Sequence, residues 1–160
     1  MSVAIAAGFA VAAGLLAVRR RYLVITVNGG SMSPAFTDGD RVLVRRVTGR
    51  PPHRGDVVVL RTPSSSGPAR GGWSIKRVVA VPGDPLPEAA VDACGIPAGT
   101  PVPARRLVVF GDALDSYDSR TWGFLSAEDL VGVVTRRLSS RPDPGRPRRW
   151  RPGSDPVGLR

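Results

Sequence analysis

The chain has 160 residues, the size of one domain, with no room for a second substantial core. Its 19 glycines and 16 prolines, against 6% aromatic residues, favour short strands and many turns over a helical bundle. The formal charge of +10 raises anionic partners, but the single Cys94 and single His53 exclude a disulfide framework and a zinc-type metal cluster. No zinc-finger or RNA-recognition spacing accompanies the arginines either, so nucleic acid is not expected as a partner.

Residues 3–18 (VAIAAGFAVAAGLLAV) carry no charge and end at Arg19-Arg20-Arg21. At about 1.5 Å per residue, a helix over this run approaches the hydrocarbon thickness of a bilayer. It is apolar all round, unlike a core helix with one polar face. It also lacks the basic start of a cleaved secretion signal. The expectation is an N-terminal membrane anchor over 1–20. Basic residues usually stay cytoplasmic, which would leave the rest of the chain inside the cell. An extracytoplasmic domain requires either that these arginines snorkel at the outer surface or that the true start lies upstream.

Beyond the anchor, short Val/Ile/Leu-rich runs alternate with turn residues. They predict strands at 22–27, 41–46, 56–61, 74–81, 106–110 and 131–136, separated by Asp38-Gly39-Asp40, Arg54-Gly55-Asp56, Pro82-Gly83-Asp84 and Gly111-Asp112. The pattern reads as a mostly β, antiparallel domain over 21–138. Residues 62–72 (TPSSSGPARGG) read as a flexible loop, and 85–105 as an irregular, Pro-rich excursion. The stretch 139–160 lacks apolar periodicity and reads as a basic, Pro-rich disordered tail.

Two places stand out chemically. Val27-Asn28-Gly29-Gly30-Ser31-Met32-Ser33-Pro34 follows the first strand directly. Paired glycines allow close backbone approach, and Pro34 pushes Ser33 toward extended geometry. Local spacing alone fits either an ordinary Gly/Ser turn or a serine shaped for attack. The second place is Lys76, the only lysine among 23 basic residues. Arginine does not deprotonate in a protein, whereas a desolvated lysine does. Strand alternation puts Lys76 on a small, largely apolar face with Ser74, Val78 and Ala80, and turns Arg77 the other way. Burial there would lower its pKa and free the amine to act as a base. The alternative is a surface lysine beside Arg77. A Ser/His/Asp triad has only His53 to use.

In order over residues 1–137, these pieces resemble type I signal peptidases, the serine–lysine proteases that remove export signals. The resemblance rests on the anchor, GGSMSP, Asp38-Gly39-Asp40 leading into RVLV, and Arg54-Gly55-Asp56 leading into VVVL. It continues through IKRVVAVPGD at 75–84 and GDALDSYDSRTWG at 111–123. It implies a compact antiparallel signal-peptidase-like β domain behind one transmembrane helix, with no cofactor. Ser31 is implied as the acylating nucleophile and Lys76 as its base. The Ser31 amide is implied in the oxyanion hole, flanked by Gly29 and Gly30, and Gly29 lacks the hydroxyl that some members carry there. Ser116 matches the serine that orients the lysine, Asp118 and Arg120 match a structural ion pair, and Met32 matches a substrate-pocket wall. Ala35 and Ala113 depart from the family's usual threonine and asparagine, and the segment before Ser116 is one residue short. The short spacing from Asp84 to Gly111 implies a core without a large accessory domain.

The implied substrates are exported precursors bearing signal or leader peptides, cut after small residues on the outer face of the cell membrane. The protein itself would be single-pass, with its β surface near Ser31 against the lipid bilayer. Alternatives are a maturation protease dedicated to one exported precursor, and an inactive membrane-bound binding module using the basic tail. Self-cleaving SOS-type repressors share the serine–lysine pair, but they are soluble and lack the GDALDSYDSR-like block.

Overall fold

A computed structural model describes residues 2–47, 51–63 and 72–139, without the side chains of residues 2–7 and 9–11. The apolar run forms one helix, α1 (Ser2–Arg21), which ends on its three arginines and leads directly into β1 (Tyr22–Thr26). Cations at a helix C-terminus offset the partial negative charge that accumulates there. Among the described residues no helix is long and apolar enough to cross a membrane. The anchor expected over 1–20 draws much of its apolar character from residues whose side chains lie outside those described.

The remaining strands are β2 (Arg41–Arg46), β3 (Val57–Arg61), β4 (Trp73–Ala80), β5 (Arg106–Phe110), β6 (Leu125–Ser126) and β7 (Leu130–Ser139). They join β1 in one seven-stranded sheet, ordered β1-β2-β7-β3-β4-β5-β6, with every pairing antiparallel. Register shifts interrupt the β2–β7, β3–β7 and β4–β5 ladders. Such bulges add local twist and bend a sheet.

The central strand explains why its sequence does not alternate. Val57 and Val59 pack into one core cluster with Val27, Met32, Phe36, Val42, Val44 and Ile75. Val58 and Leu60 pack into another with Val78, Leu107, Val109 and Leu125. With both faces covered, β3 is apolar at four successive positions.

All six expected strands are present, and the last extends beyond its predicted end to Ser139. The stretch 85–105 is more ordered than expected. It contains a 3-10 turn (Glu88–Ala90), a short helix α2 (Val91–Cys94) and a Pro85–Pro101 bridge. Leu86, Ala90 and Val102 are buried there against Ala80 and Val108, so apolar burial organises a segment whose prolines suggested otherwise. Thr62 and Gly72 close the base of the 62–72 loop through a 2.9 Å backbone hydrogen bond, while residues 64–71 lie outside those described. The tail expected from 139 lies outside them from residue 140 onward.

Candidate active site

Ser31 sits on a loop that is tied down along its length. The loop is closed by Val27 N–H donating to the Asp40 carbonyl (2.8 Å) and Gly39 N–H donating to the Val27 carbonyl (2.9 Å). Met32 and Phe36 are fully buried and fasten it to the core. Asp40, also fully buried, accepts from Thr37 N–H and pairs with Arg137 of β7 at 3.5 Å. Arg137 also donates to the Ala35 carbonyl and lies over the Phe36 ring, 4.7 Å from its centroid. At the tip, Gly29 adopts φ +85°, a left-handed conformation suited to glycine, and its N–H donates to Asp38 Oδ1 at 2.9 Å. Ser33 N–H donates back to the Gly30 carbonyl (2.9 Å), making the tight turn that presents Ser31.

Lys76 comes from the opposite side, on β4. Register pairs it with Val58, and it is only 3% exposed. Its ammonium donates to Ser116 Oγ at 2.8 Å and lies 6.0 Å from the centroid of the Trp122 ring. Loss of solvation pushes the amine down from 10.5 to about 8. Asp118 and Asp112 pull the value upward and Arg120 pushes it further down, without reversing the effect of burial.

The segment from Gly111 to Ser116 links the two sides. Ala113 N–H donates to the Ser31 carbonyl at 3.1 Å. A Cβ added to Gly111 would lie 2.1 Å from Ser116 Oγ and 2.5 Å from the Ser31 carbonyl oxygen, so glycine is what allows these two serines to approach. Neighbouring residues of β4 hold the segment from both faces of the strand. Lys76 bonds Ser116, while Arg77, facing the other way, clasps Asp112 through two hydrogen bonds of 2.9 and 2.7 Å.

Beneath lies Asp118, fully buried at the start of α3 (Ser119–Trp122). It accepts from Gly111 N–H (2.7 Å), from Arg120 N–H (3.1 Å) and from the Arg120 guanidinium (2.9 and 2.6 Å). Burial alone would raise the Asp118 pKa. The guanidinium and the two backbone donors outweigh it and hold the carboxyl below its ordinary value. Arg120 also donates to the Ala113 carbonyl (3.2 Å), so the ion pair buttresses the segment that touches Ser31.

Ser31, Lys76 and Ser116 line one open cleft of about 730 Å³, together with Gly30, the end of β1 and the aromatic rings of Trp73, Tyr117 and Trp122. Among the described residues no hydrogen bond joins Lys76 to Ser31, and the Ser31 amide N–H has no partner. Gly29 stands just outside the lining, with its N–H committed to Asp38. Met32, expected as a pocket wall, has no exposed surface. It points into the core and supports the Ser31 turn from below. His53 is 60% exposed on the turn before β3, beside Asp56, and does not line the cleft. Among the described residues no His/Cys/Asp/Glu group has the makings of a metal site.

Several residues that position the site carry little distinctive signal in the sequence. Asp38, Asp40 and Arg137 hold the Ser31 loop, Arg77 and Asp112 hold the Gly111 segment, and the three aromatic residues shape the walls. A hint was present in Asp38-Gly39-Asp40, where both acidic residues sit in a turn and accept backbone donors.

A family model described as signal peptidase, peptidase S26, matches residues 1–90 and 86–138. A probable signal peptidase I-1 of Synechocystis sp. is 31% identical over 150 residues, spanning 78% of this chain and 76% of that protein. A signal peptidase I of Leptolyngbya laminosa is 29% identical over 130 residues, spanning 68% of this chain and 64% of its own.

Proposed function

The chain belongs to the signal peptidase family, peptidase S26, and from that premise we propose that it is a membrane-anchored serine endopeptidase acting through Ser31 and Lys76. Its substrates are exported precursors carrying signal or leader peptides, cut after small residues. The observation that carries this reading is a buried amine held near pKa 8 that shares a cleft with a turn-mounted serine.

A neutral lysine amine has two N–H donors and one lone pair. With an N–H engaged by Ser116, the lone pair is left to take the Ser31 proton as Oγ attacks the scissile carbonyl carbon. The oxyanion that forms is met by the Ser31 amide N–H, a fixed donor of the kind worth a few kcal/mol in the transition state. The Lys76 ammonium then returns its proton to the departing nitrogen as the C–N bond breaks, leaving an ester on Ser31. Water attacks that ester, Lys76 accepts its proton, and Ser31 Oγ leaves and is reprotonated. Met32 serves this reaction as a support for the turn, and Asp118 with Arg120 keeps the Gly111 segment in register.

α1 is the anchor in this reading. Its 20 residues span about 30 Å, close to the hydrocarbon thickness of a bilayer. Trp73, Leu114 and Tyr117 are exposed at or beside the cleft and suit a surface that meets lipid-tethered substrates. This reading sets the catalytic domain outside the cytoplasm, with Arg19, Arg20 and Arg21 snorkelling at the outer surface.

The test is cleavage of a peptide spanning a signal-sequence junction by purified full-length protein in detergent. Ser31→Ala and Lys76→Arg each abolish it, the second despite keeping the charge; an active, folded Lys76→Arg protein removes the base assignment. The compact packing of the 85–105 segment also suits a maturation protease dedicated to one precursor. Exported-protein N-termini with and without the active enzyme separate the two: many uncut precursors indicate general processing, and one indicates a dedicated role.

A further inference from the structure

α1 passes its chain to the sheet through Arg19, Arg20 and Arg21, and β2 brings Arg45 and Arg46, one on each face of the strand, to the same end of the sheet. The β1–β2 ladder ends where Tyr22 pairs with Arg45, so Arg46, the next residue of β2, lies beside the C-terminal end of α1. On its other side Arg46 is opposite Gly132 of β7, which has no side chain to cover it. Arg19, Arg20, Arg21 and Arg46 are exposed and Arg45 is half-buried. No acidic residue occurs in α1, β1 or β2, and among the described residues none of these arginines is in an ion pair. Like charges gathered this closely repel one another and destabilise the fold unless something neutralises them.

What lies on either side identifies the neutralising partner. Immediately toward the N-terminus, Leu15, Leu16 and Val18 are exposed on α1. Immediately toward the C-terminus, Tyr22 begins the folded sheet. Exposed apolar residues, then arginines with a tyrosine, then a folded domain is the order met on leaving a membrane, from acyl chains through phosphates to water. Guanidinium groups bind phosphate oxygens in bidentate fashion and are suited to that layer.

We propose that Arg19, Arg20 and Arg21, together with Arg45 and Arg46, form a cationic collar that binds the phosphate-bearing headgroups of anionic lipids where α1 emerges from the bilayer. The proposal rests on reading α1 as the anchor. It adds that the sheet itself holds lipid, so the catalytic domain is attached at two elements and does not swivel on one helix. A strand rises about 3.3 Å per residue, so β1 sets the cleft at its far end roughly 15 Å from the collar. Headgroup binding thereby fixes the height at which a membrane-tethered substrate meets Ser31.

The experiment uses the full chain reconstituted in phosphatidylcholine bilayers with trace spin-labelled phosphatidylglycerol or spin-labelled phosphatidylcholine. Electron spin resonance reports the fraction of each label whose motion the protein restricts. At low ionic strength, phosphatidylglycerol is restricted several-fold more than phosphatidylcholine. The preference declines in high salt, which screens exposed charges. It falls at least two-fold in Arg45→Gln/Arg46→Gln and by less in Arg46→Gln alone, an exposed change that leaves the fold intact. Both variants cleave a soluble peptide at the parent rate. Equal restriction of the two lipids, or full preference in the double variant, overturns the collar. Displacement by inorganic phosphate at matched ionic strength overturns the lipid assignment in favour of a free-phosphate site. If neither label is restricted, α1 is not in the bilayer and the anchor reading fails with the collar, whatever the outcome of the peptide assay.

Discussion

The Lys76 ammonium donates a 2.8 Å hydrogen bond to the Ser116 hydroxyl, 40 residues further along the chain. The bond lies inside the cleft that also holds Ser31, and it fixes the direction of the amine with no charged partner in direct contact among the described residues. A carboxylate in that position would stabilise the ammonium and raise its pKa. A hydroxyl orients the amine and leaves burial free to lower it.

Removing that hydroxyl separates orientation from binding. Ser116→Ala is expected to lower kcat by ten- to a hundred-fold with KM nearly unchanged, since Ser116 acts through Lys76. Ser116→Thr, which keeps the hydroxyl, recovers part of the loss. Steady-state kinetics on one peptide substrate reads both outcomes.

Gly111→Ala tests whether close approach of the two serines matters. The new methyl group would meet Ser116 Oγ and the Ser31 carbonyl well inside contact distance. Both are held in place, so the segment must shift. The variant is expected to retain a cooperative thermal transition at reduced Tm and to lose activity by at least a hundred-fold, because a displacement near 1 Å costs about that much.

Asp118 ties the site to the stability of the fold. Asp118→Asn leaves the Arg120 guanidinium without its buried partner and is expected to cost about 3–5 kcal/mol at pH 7. The wild-type carboxyl titrates below its unfolded value, so its contribution is fully present above the ordinary carboxylate range. It fades as pH falls through the lowered folded value. Denaturant unfolding of both proteins across that range should show the gap closing in acid.

The lowered Lys76 pKa makes two predictions. Activity, followed as kcat/KM, should rise about tenfold per pH unit below pH 8 and level off above it. An amine of pKa 8 is neutral in roughly one molecule in ten at pH 7, against roughly one in three thousand at 10.5. Stability changes in the same window. Between about 8 and 10.5 the folded chain binds fewer protons than the unfolded one, so wild type gains stability relative to Lys76→Met as pH rises, by about 3 kcal/mol in all.

The strands were legible because a sheet leaves a local imprint, with apolar runs between turn residues. β3 read clearly even without alternation, since four apolar positions in a row fit a strand covered on both faces. β6, with two residues, and α3, with four, are too short to show any period, and α3 owes its start to the Asp118 cap. Residue types and ordered blocks single out Ser31, Lys76 and Ser116, and all three line one cleft despite the shortened segment before Ser116. The contacts that hold them there left no such trace. Arg77 with Asp112 and Arg137 with Asp40 join distant parts of the chain, and nothing near either arginine marks it as different from the exposed ones. Met32 departs from its expected place for a related reason. In a turn, the direction of a side chain depends on the loop's closure onto the core, which spacing along the chain does not encode.

The most direct measurement follows acylation of Ser31 itself, by rapid quench and intact-mass spectrometry with an activated ester, from pH 6 to pH 10. Wild-type protein should form the Ser31 adduct at a rate that climbs through pH 8 and then levels, while folded Lys76→Arg forms none over the same range. An adduct on Ser31 in Lys76→Arg at a comparable rate, or a wild-type rate indifferent to pH around 8, would contradict the account.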